Sequence, residues 1–387
     1  MGYTENCLPA ALAARGHDVH VITSSLNVYG DSEEYQNTYA SFLGAADQGV
    51  GRLEVDGYTV HRLGYRMFAG YVSIPGIAMM LRELRPEIVH STAIASLQSY
   101  KLAALQPLMG FKLFTENHQH LSVVKPFLKQ RGHWARKAVY RVTRTLPGRL
   151  VSAVMERCYA VAPDCFEVAK DLYGVPSAKL KLQSLGTDTT LFRPAESPEE
   201  VEARGRARRA LGYREDDVLC VYTGRFSAAK NPLALALAVD RLAESGAHFH
   251  GIFVGEGEQH ERILRCQNTR VMAFMRHVEL AELYRLADIA VWPRQESMSM
   301  LDAASSGLPI VVSADIGESE RVVGNGMFYA ENNVGDLARV LGMLASPEKR
   351  QGLGEIGRQK MCARFSWAGV AAELEADYRA AVAGGKG

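Results

Sequence analysis

Hydrophobic positions in this 387-residue chain fall into short strand-like runs, separated by longer segments in which apolar residues recur every three or four positions. Residues 4–16, TENCLPAALAARG, place Cys7, Leu8, Ala11 and Leu12 on one stripe and stop at Gly16, which predicts an amphipathic helix closed by a glycine. HDVHVITS then alternates as a strand does, and EIVHSTAI, FKLFTENH and RCYAVAPD follow as further strand-like runs with helical stretches between them. A second series runs VLCVYTG, PLALALAVDRLAESG, HGIFVGEG, EQHERILRC, VMAFM, ELAELYRLA, DIAVWP, SMLDAASSG and PIVVSA, strand and helix in turn. This rhythm predicts an α/β protein of two Rossmann-like domains, each built on a parallel sheet, facing a shared cleft.

The charged stretch RPAESPEEVEARGRARRALGYRED predicts a domain boundary near residue 195. The first domain is expected over 1–195 and the second over 196–365, with a final helix over 366–384 returning to the first and AGGKG as a frayed tail. In a Rossmann-type sheet the first strand is central and delivers a glycine loop to the first helix. Here the chain opens on a helix, so the first domain is expected to lack that strand and loop, and the natural chain is read as longer. No low-complexity tract or 20-to-50-residue repeat is visible, which sets solenoids and propellers aside.

Composition narrows the chemistry. With 47% apolar residues the chain can bury two cores. Forty-four basic residues against 43 acidic ones leave a formal charge of +1, so no strong overall field steers nucleic acid, and any anion site must be local. Six scattered cysteines without a CxxC pair or a histidine cluster argue against structural zinc and a disulfide framework, and point to a reducing, cytoplasmic setting. The longest mainly apolar run, Tyr71 to Leu81, is 11 residues, well short of the roughly 20 a membrane span needs. No basic segment followed by an apolar core opens the chain, so no signal peptide is expected.

Candidate chemistry gathers in the second series. In TGRFSAAKNPLALA a strand ends at Gly224, Arg225 follows, and Lys230 precedes Asn231 and Pro232, read as N-cap and first residue of a helix. Ligands in open α/β sheets bind beyond the carboxyl ends of strands, so Arg225 and Lys230 stand where an anionic group such as a diphosphate would lie. Two solvated cations in a polar loop are the plain alternative. In PRQESMSMLDAASSGLPIVVS, Ser299 and Asp302 form an S-x-x-D capping box, predicting a helix from Met300 to Gly307. Asp302 is then either a cap or, with Glu296, an acceptor for hydroxyl groups, while the N–H groups at the helix entrance, Ser299 to Leu301, favour a phosphate. The two acids converge only if Glu296 lies in the loop.

These segments resemble the retaining GT-B glycosyltransferases of family 4. TGRFSAAK resembles that family's strand-GR-loop-K segment, VGEGEQ its GxG turn, LYRLADIAVWPR the strand before its paired acids, and ESMSMLDAASSGLPIVV the paired-acid helix. Outside these, GTDTTLFRP and RFSW are similar to two more of its signatures, so the resemblance covers nearly the whole chain. It implies that Gly224, Arg225, Lys230, Gly255, Ser299, Met300 and Leu301 surround the donor diphosphate, that Asp302 holds the nucleotide ribose, and that Glu296 reaches the transferred sugar. The family separates its two acids by seven residues. Here five intervene and Asp stands for the second Glu, so Glu296 fills its role only with a shortened loop, the usual count landing on Arg294. His118, in FTENHQH, resembles the family's histidine beside the sugar, with Glu116 and His120 as weaker candidates.

The implied activity is transfer of a sugar, with retention, from a nucleotide diphosphate sugar to a glycan or lipid-linked acceptor in polysaccharide or glycolipid synthesis. Arg225, Lys230, Glu296 and His118 would carry it, with no metal and no other cofactor. Lys125, Lys129, Arg131, Arg136, Lys137, Arg141, Arg144 and Arg149 follow one another without an acid, and this 125–149 stretch is expected either to be a solvated helix face or to meet an anionic membrane surface from the cytoplasmic side. Two rival readings are a nucleotide-sugar epimerase and an inactive remnant that binds a partner or membrane. No GxGxxG follows a strand, so a nicotinamide enzyme is not expected.

Overall fold

The computed structural model describes residues 4–28, 30–32, 35, 40–68, 71–120, 124, 138–316 and 320–384. Five of the cations of the basic stretch, Lys125, Lys129, Arg131, Arg136 and Lys137, lie outside the described residues. Contacts divide the chain into two compact units, one of Tyr3–Leu185 with Val370–Gly387 and one of Gly186–Gly369. The crossing at Leu185 precedes the boundary expected near 195, because GTDTTLFRP packs with the second unit. There the Thr187 N–H donates to Phe365 O at 2.7 Å, and Phe192 is fully buried in that unit's core.

In the first unit a helix over Thr4–Ala13 precedes strand β1 (His20–Ser24). Gly16 takes φ +91°, a backbone angle that only glycine adopts cheaply, and its N–H donates to Ala13 O, which stops the helix as its sequence predicts. Strands β2 (Gly51–Val55) and β3 (Tyr58–Leu63) form a hairpin, and β3 also pairs parallel to β1, giving a sheet of order β1-β3-β2. Strands β4 (Arg66–Phe68) and β5 (Tyr71–Ser73) make a separate hairpin. Strands β6 (Ile88–Ser91), β7 (Lys112–Asn117), β8 (Arg157–Ala160) and β9 (Leu180–Leu182) then form a parallel sheet in sequential order.

Among the described residues no hydrogen bond joins this four-stranded sheet to the three-stranded one. Each sheet therefore ends on an edge, at β1 and at β6, and every residue of these two strands is only half-buried, whereas β7 is almost entirely buried. A central strand normally pairs on both sides and is covered on both faces. Among the described residues β1 and β6 each pair on one side only.

The second unit holds one parallel sheet of six strands: β10 (Val218–Thr223), β11 (Phe249–Val254), β12 (Thr269–Met272), β13 (Ile289–Trp292), β14 (Ile310–Ser313) and β15 (Gly326–Tyr329). Its order is β12-β11-β10-β13-β14-β15. This is the full doubly wound order, reversing direction between β10 and β13. Every residue of β10, β13 and β14 is buried, as continuous apolar runs covered on both faces must be. Trp292, Tyr222, Tyr284 and Phe226 fill the core next to the strand ends where the reversal occurs.

The final helix, Trp367–Gly384, starts in the second unit and continues in the first. There Asp377 accepts from Tyr159 Oη at 3.0 Å and from Lys181 Nζ at 3.2 Å, and Tyr378 is buried against Phe114.

Candidate functional site

The loop after β10 owes its path to two glycines. Gly224 and Gly255 both take φ +144°, and a Cβ on Gly255 would stand 2.0 Å from Gly224 O, so the loops after β10 and β11 touch backbone to backbone only because Gly255 carries no side chain. The loops are stitched by Phe226 N–H to Glu256 O at 2.8 Å and by Ala228 N–H to Glu258 Oε1 at 2.5 Å. Phe226 is driven into the core, which leaves its neighbour Arg225 exposed, with its carbonyl held by Tyr222 Oη at 2.8 Å. A turn in which the Lys230 N–H donates to Ser227 O brings Lys230 back toward Arg225.

Lys230 is half-buried, and its ammonium is pushed below the usual lysine range, first by burial and then by the Arg225 charge. Among the described residues no carboxylate pairs with either cation. Two like charges gathered at the switch point of a doubly wound sheet, with no acid between them, form a site that favours an anion.

Two local expectations are corrected here. Asn231 does not cap the next helix: it sits at φ +50°, and the helix runs Leu233–Glu244. Its first N–H, on Leu233, is met by Gln259 Oε1 at 3.1 Å, a partner from the loop after β11. The S-x-x-D capping box is also absent. The helix runs Ser299–Ser305, one residue earlier at its start than expected, and has no side-chain cap. Ser299 lies inside the helix rather than before it, and both Asp302 oxygens are engaged elsewhere, by Thr187 Oγ1 at 2.7 Å and His277 Nε2 at 3.2 Å.

Of the helix-entrance donors, the Met300 N–H is bonded to Ser297 O and the Leu301 N–H to Met298 O, while both side chains lie in the core. Those two residues therefore have neither a free N–H nor an exposed side chain to offer. A carboxylate can accept about four hydrogen bonds, so Asp302 keeps capacity for another hydroxyl.

Glu296 lies in the loop after β13, as its proposed role demands, and pairs with Arg321 at 3.3 Å. Arg294, where the family's acid spacing falls, pairs with Glu331 at 2.9 Å and donates to Ala228 O at 3.3 Å, so it braces the Arg225–Lys230 loop. Sequence reasoning missed Thr187, His277, Gln259, Arg321 and Glu331. No periodicity or local motif marks them, because each meets its partner only through the fold.

In the first unit His118 follows β7 and Glu116 lies within it, nearly completely buried. Each carboxylate oxygen of Glu116 faces one histidine: His118 Nε2 at 2.6 Å and His90 Nε2 at 3.2 Å. His90 in turn bonds Tyr378 of the final helix through Nδ1. Burial pushes the Glu116 carboxyl up, but the hydrogen bond from His118 and the nearby His90 ring outweigh it and bring it down to about 2. For His118, burial works against protonation and the bond to Glu116 overcomes it, so its value is raised. Glu116 holds His118 by Nε2, which leaves Nδ1 as the ring's other polar atom.

His120 pairs with Asp164 at 3.0 Å, and with Cys165 their donor atoms lie within 4.8 Å of one another, a grouping of metal-ligand types from the loop after β7 and the helix Pro163–Asp171 that sequence spacing conceals. Among the described residues no helix is long and apolar enough to cross a membrane.

Comparison with known proteins agrees with this architecture. The family model "Glycosyltransferase Family 4" matches residues 8–191, and "Glycosyl transferases group 1" matches residues 217–346. A D-inositol 3-phosphate glycosyltransferase of Kribbella flavida is 28% identical over 232 residues, covering 54% of this chain and 53% of that protein. The corresponding protein of Geodermatophilus obscurus is 30% identical over 257 residues, 62% of this chain and 55% of its own. The chain thus spans about half the length of the curated relatives it matches.

Among solved structures, Anabaena HepE in complex with UDP-glucose superposes with a TM-score of 0.67 at 15% identity, covering 98% of this chain and 96% of that one. Sucrose-phosphate synthase from Thermosynechococcus elongatus gives 0.64 at 19%, covering 97% and 92%. At such identities these two establish the GT-B fold alone. With one family model on each series of strands, the two together spanning most of the chain, the chain belongs to the family 4, group 1 glycosyltransferases.

Proposed function

We propose that the chain is a retaining glycosyltransferase that takes a sugar from a nucleotide diphosphate donor and passes it to a glycan or lipid-linked acceptor. The observation that carries this reading is the Arg225–Lys230 pair: two cations without a carboxylate partner among the described residues, one of them half-buried, at the switch point between β10 and β13. A diphosphate leaving group gains negative charge as the glycosidic bond breaks. Cations already fixed in place stabilise that charge without reorganising. On this reading side chains supply the charge that a divalent ion would otherwise supply, and no metal is required at the diphosphate.

Asp302 is proposed to offer its remaining acceptor capacity to the ribose, and Glu296, held by Arg321, to meet the transferred sugar. His118, fixed by Glu116, is proposed as the first unit's contribution beside that sugar. Since HepE was solved with UDP-glucose, uridine diphosphate sugars are the first donors to try. Synthesis of cell-surface polysaccharide or glycolipid at the cytoplasmic face of the membrane is the setting this reading implies.

Calorimetry with UDP, GDP and ADP tests the assignment. Arg225→Ala and Lys230→Ala should each weaken binding of the preferred nucleotide roughly 10- to 100-fold, the loss expected for a charge-assisted bond. Circular dichroism should remain unchanged. Unaltered affinity in both variants would refute the reading.

A further inference from the structure

The first unit carries a surface that the donor chemistry does not use. Residues 138–154 form one continuous helix, with a wider π-type turn over Arg141–Thr145. Its inner side is firmly attached. Arg144 donates to Tyr71 Oη at 2.7 Å and to Ala95 O at 3.0 Å and stacks over the Tyr71 ring, while Gly148 and Val151 are buried.

The outer side is the reverse of what an ordinary surface helix shows. Val139, Val142, Leu146 and Leu150, spaced three or four apart, are exposed by 61%, 62%, 45% and 70%. Single exposed aliphatic residues are commonplace, but four in a row on one helix face are not. Arg141 and Arg149 are exposed on the same helix. In sequence, no acid occurs between Glu116 and Glu156, a stretch that holds eight lysines and arginines.

We propose that this helix face docks on an anionic membrane surface. Aliphatic side chains at the level of the acyl boundary, with arginines reaching the headgroups, are the two contributions such binding adds together. The same charge speaks against a second copy as the occupant, because a twofold contact through this face would set arginines against arginines. The proposal rests on this surface alone and stands apart from the reading of the nucleotide site.

The test is co-sedimentation of the full chain with vesicles of phosphatidylcholine, with and without phosphatidylglycerol. Binding should require phosphatidylglycerol, weaken as salt is added, and fall at least roughly tenfold in Val142→Glu/Leu150→Glu and in Arg141→Ala/Arg149→Ala. Nucleotide affinity and the melting temperature serve as the fold control, since both pairs of residues are exposed and distant in sequence from Arg225 and Lys230. Equal binding to neutral vesicles, binding unaffected by both double variants, or no vesicle binding together with self-association that Val142→Glu/Leu150→Glu abolishes would each overturn the proposal. Loss of nucleotide binding in Arg225→Ala with vesicle binding intact would separate the two sites.

Discussion

The Thr187 hydroxyl donates to the Asp302 carboxylate at 2.7 Å, tying the segment that enters the second unit to a seven-residue helix 115 positions further along the chain. His277 holds the other oxygen. Asp302 is therefore part of the scaffold, whatever else it binds. Thr187→Val should lower stability by about 1–3 kcal/mol, the cost of leaving a nearly buried acceptor short of a partner. A fall in the urea midpoint at constant m-value would show it. An unchanged midpoint would mean that this bond adds nothing to the fold.

Glu116 is the second scaffold acid, and its effect depends on pH. Its carboxyl lies near 4.5 when unperturbed and is drawn to about 2 in the fold, despite burial, by His118 and His90. A depressed carboxyl contributes stability that is present above 4.5 and is lost as pH falls toward about 2. His118 acts with the opposite sign: raised from 6.5, it contributes stability below that value and loses it as pH rises through the folded value. Glu116→Gln should cost about 2 kcal/mol at neutral pH and flatten the acid limb of the stability curve. The His118 ring protons should also titrate at lower pH in the variant, which NMR would follow.

Lys230 should report ligand binding through protons. Burial and the Arg225 charge lower its value in the free protein, and a bound diphosphate opposes both effects. At alkaline pH, between the free and bound values, binding must take up a proton. Nucleotide titrations in buffers of different ionisation heat should reveal that uptake, and Lys230→Met should abolish it. Affinity should decline as pH rises.

A pair of glycines in the helix Pro347–Arg364 provides a test of packing with opposite signs. A Cβ on Gly354 would stand 2.0 Å from Gly307 O, whereas one on Gly352 meets nothing within 4 Å. Gly352→Ala should stabilise by about 0.5–1 kcal/mol through helix propensity alone. Gly354→Ala should destabilise by about 2–4 kcal/mol, because backbone and not a flexible side chain must move. Thermal melts of the two variants check both signs.

The strands that carry the site were legible because parallel strands buried on both faces must be continuous apolar runs, and VLCVYT, IAVW and IVVS are such runs. The position of Arg225 was legible as well, since it directly follows Gly224 at the carboxyl end of a central strand. The capping readings failed for one shared reason. A side chain caps its own helix only if the fold leaves it free to turn there, and here Thr187 and His277 take Asp302, while a positive φ turns Asn231 away and Gln259 supplies the missing acceptor.

By itself, then, the order of residues determined the α/β rhythm, the doubly wound second unit and the loop that gathers its cations, since periodicity and strand-end position are local properties. Tertiary structure alone decided which acids were already engaged, that Glu116 joins two histidines to the final helix, and that the first unit's strands part into two sheets. Those outcomes depend on which groups compete for one partner across long separations, and that competition is settled only when the chain has packed.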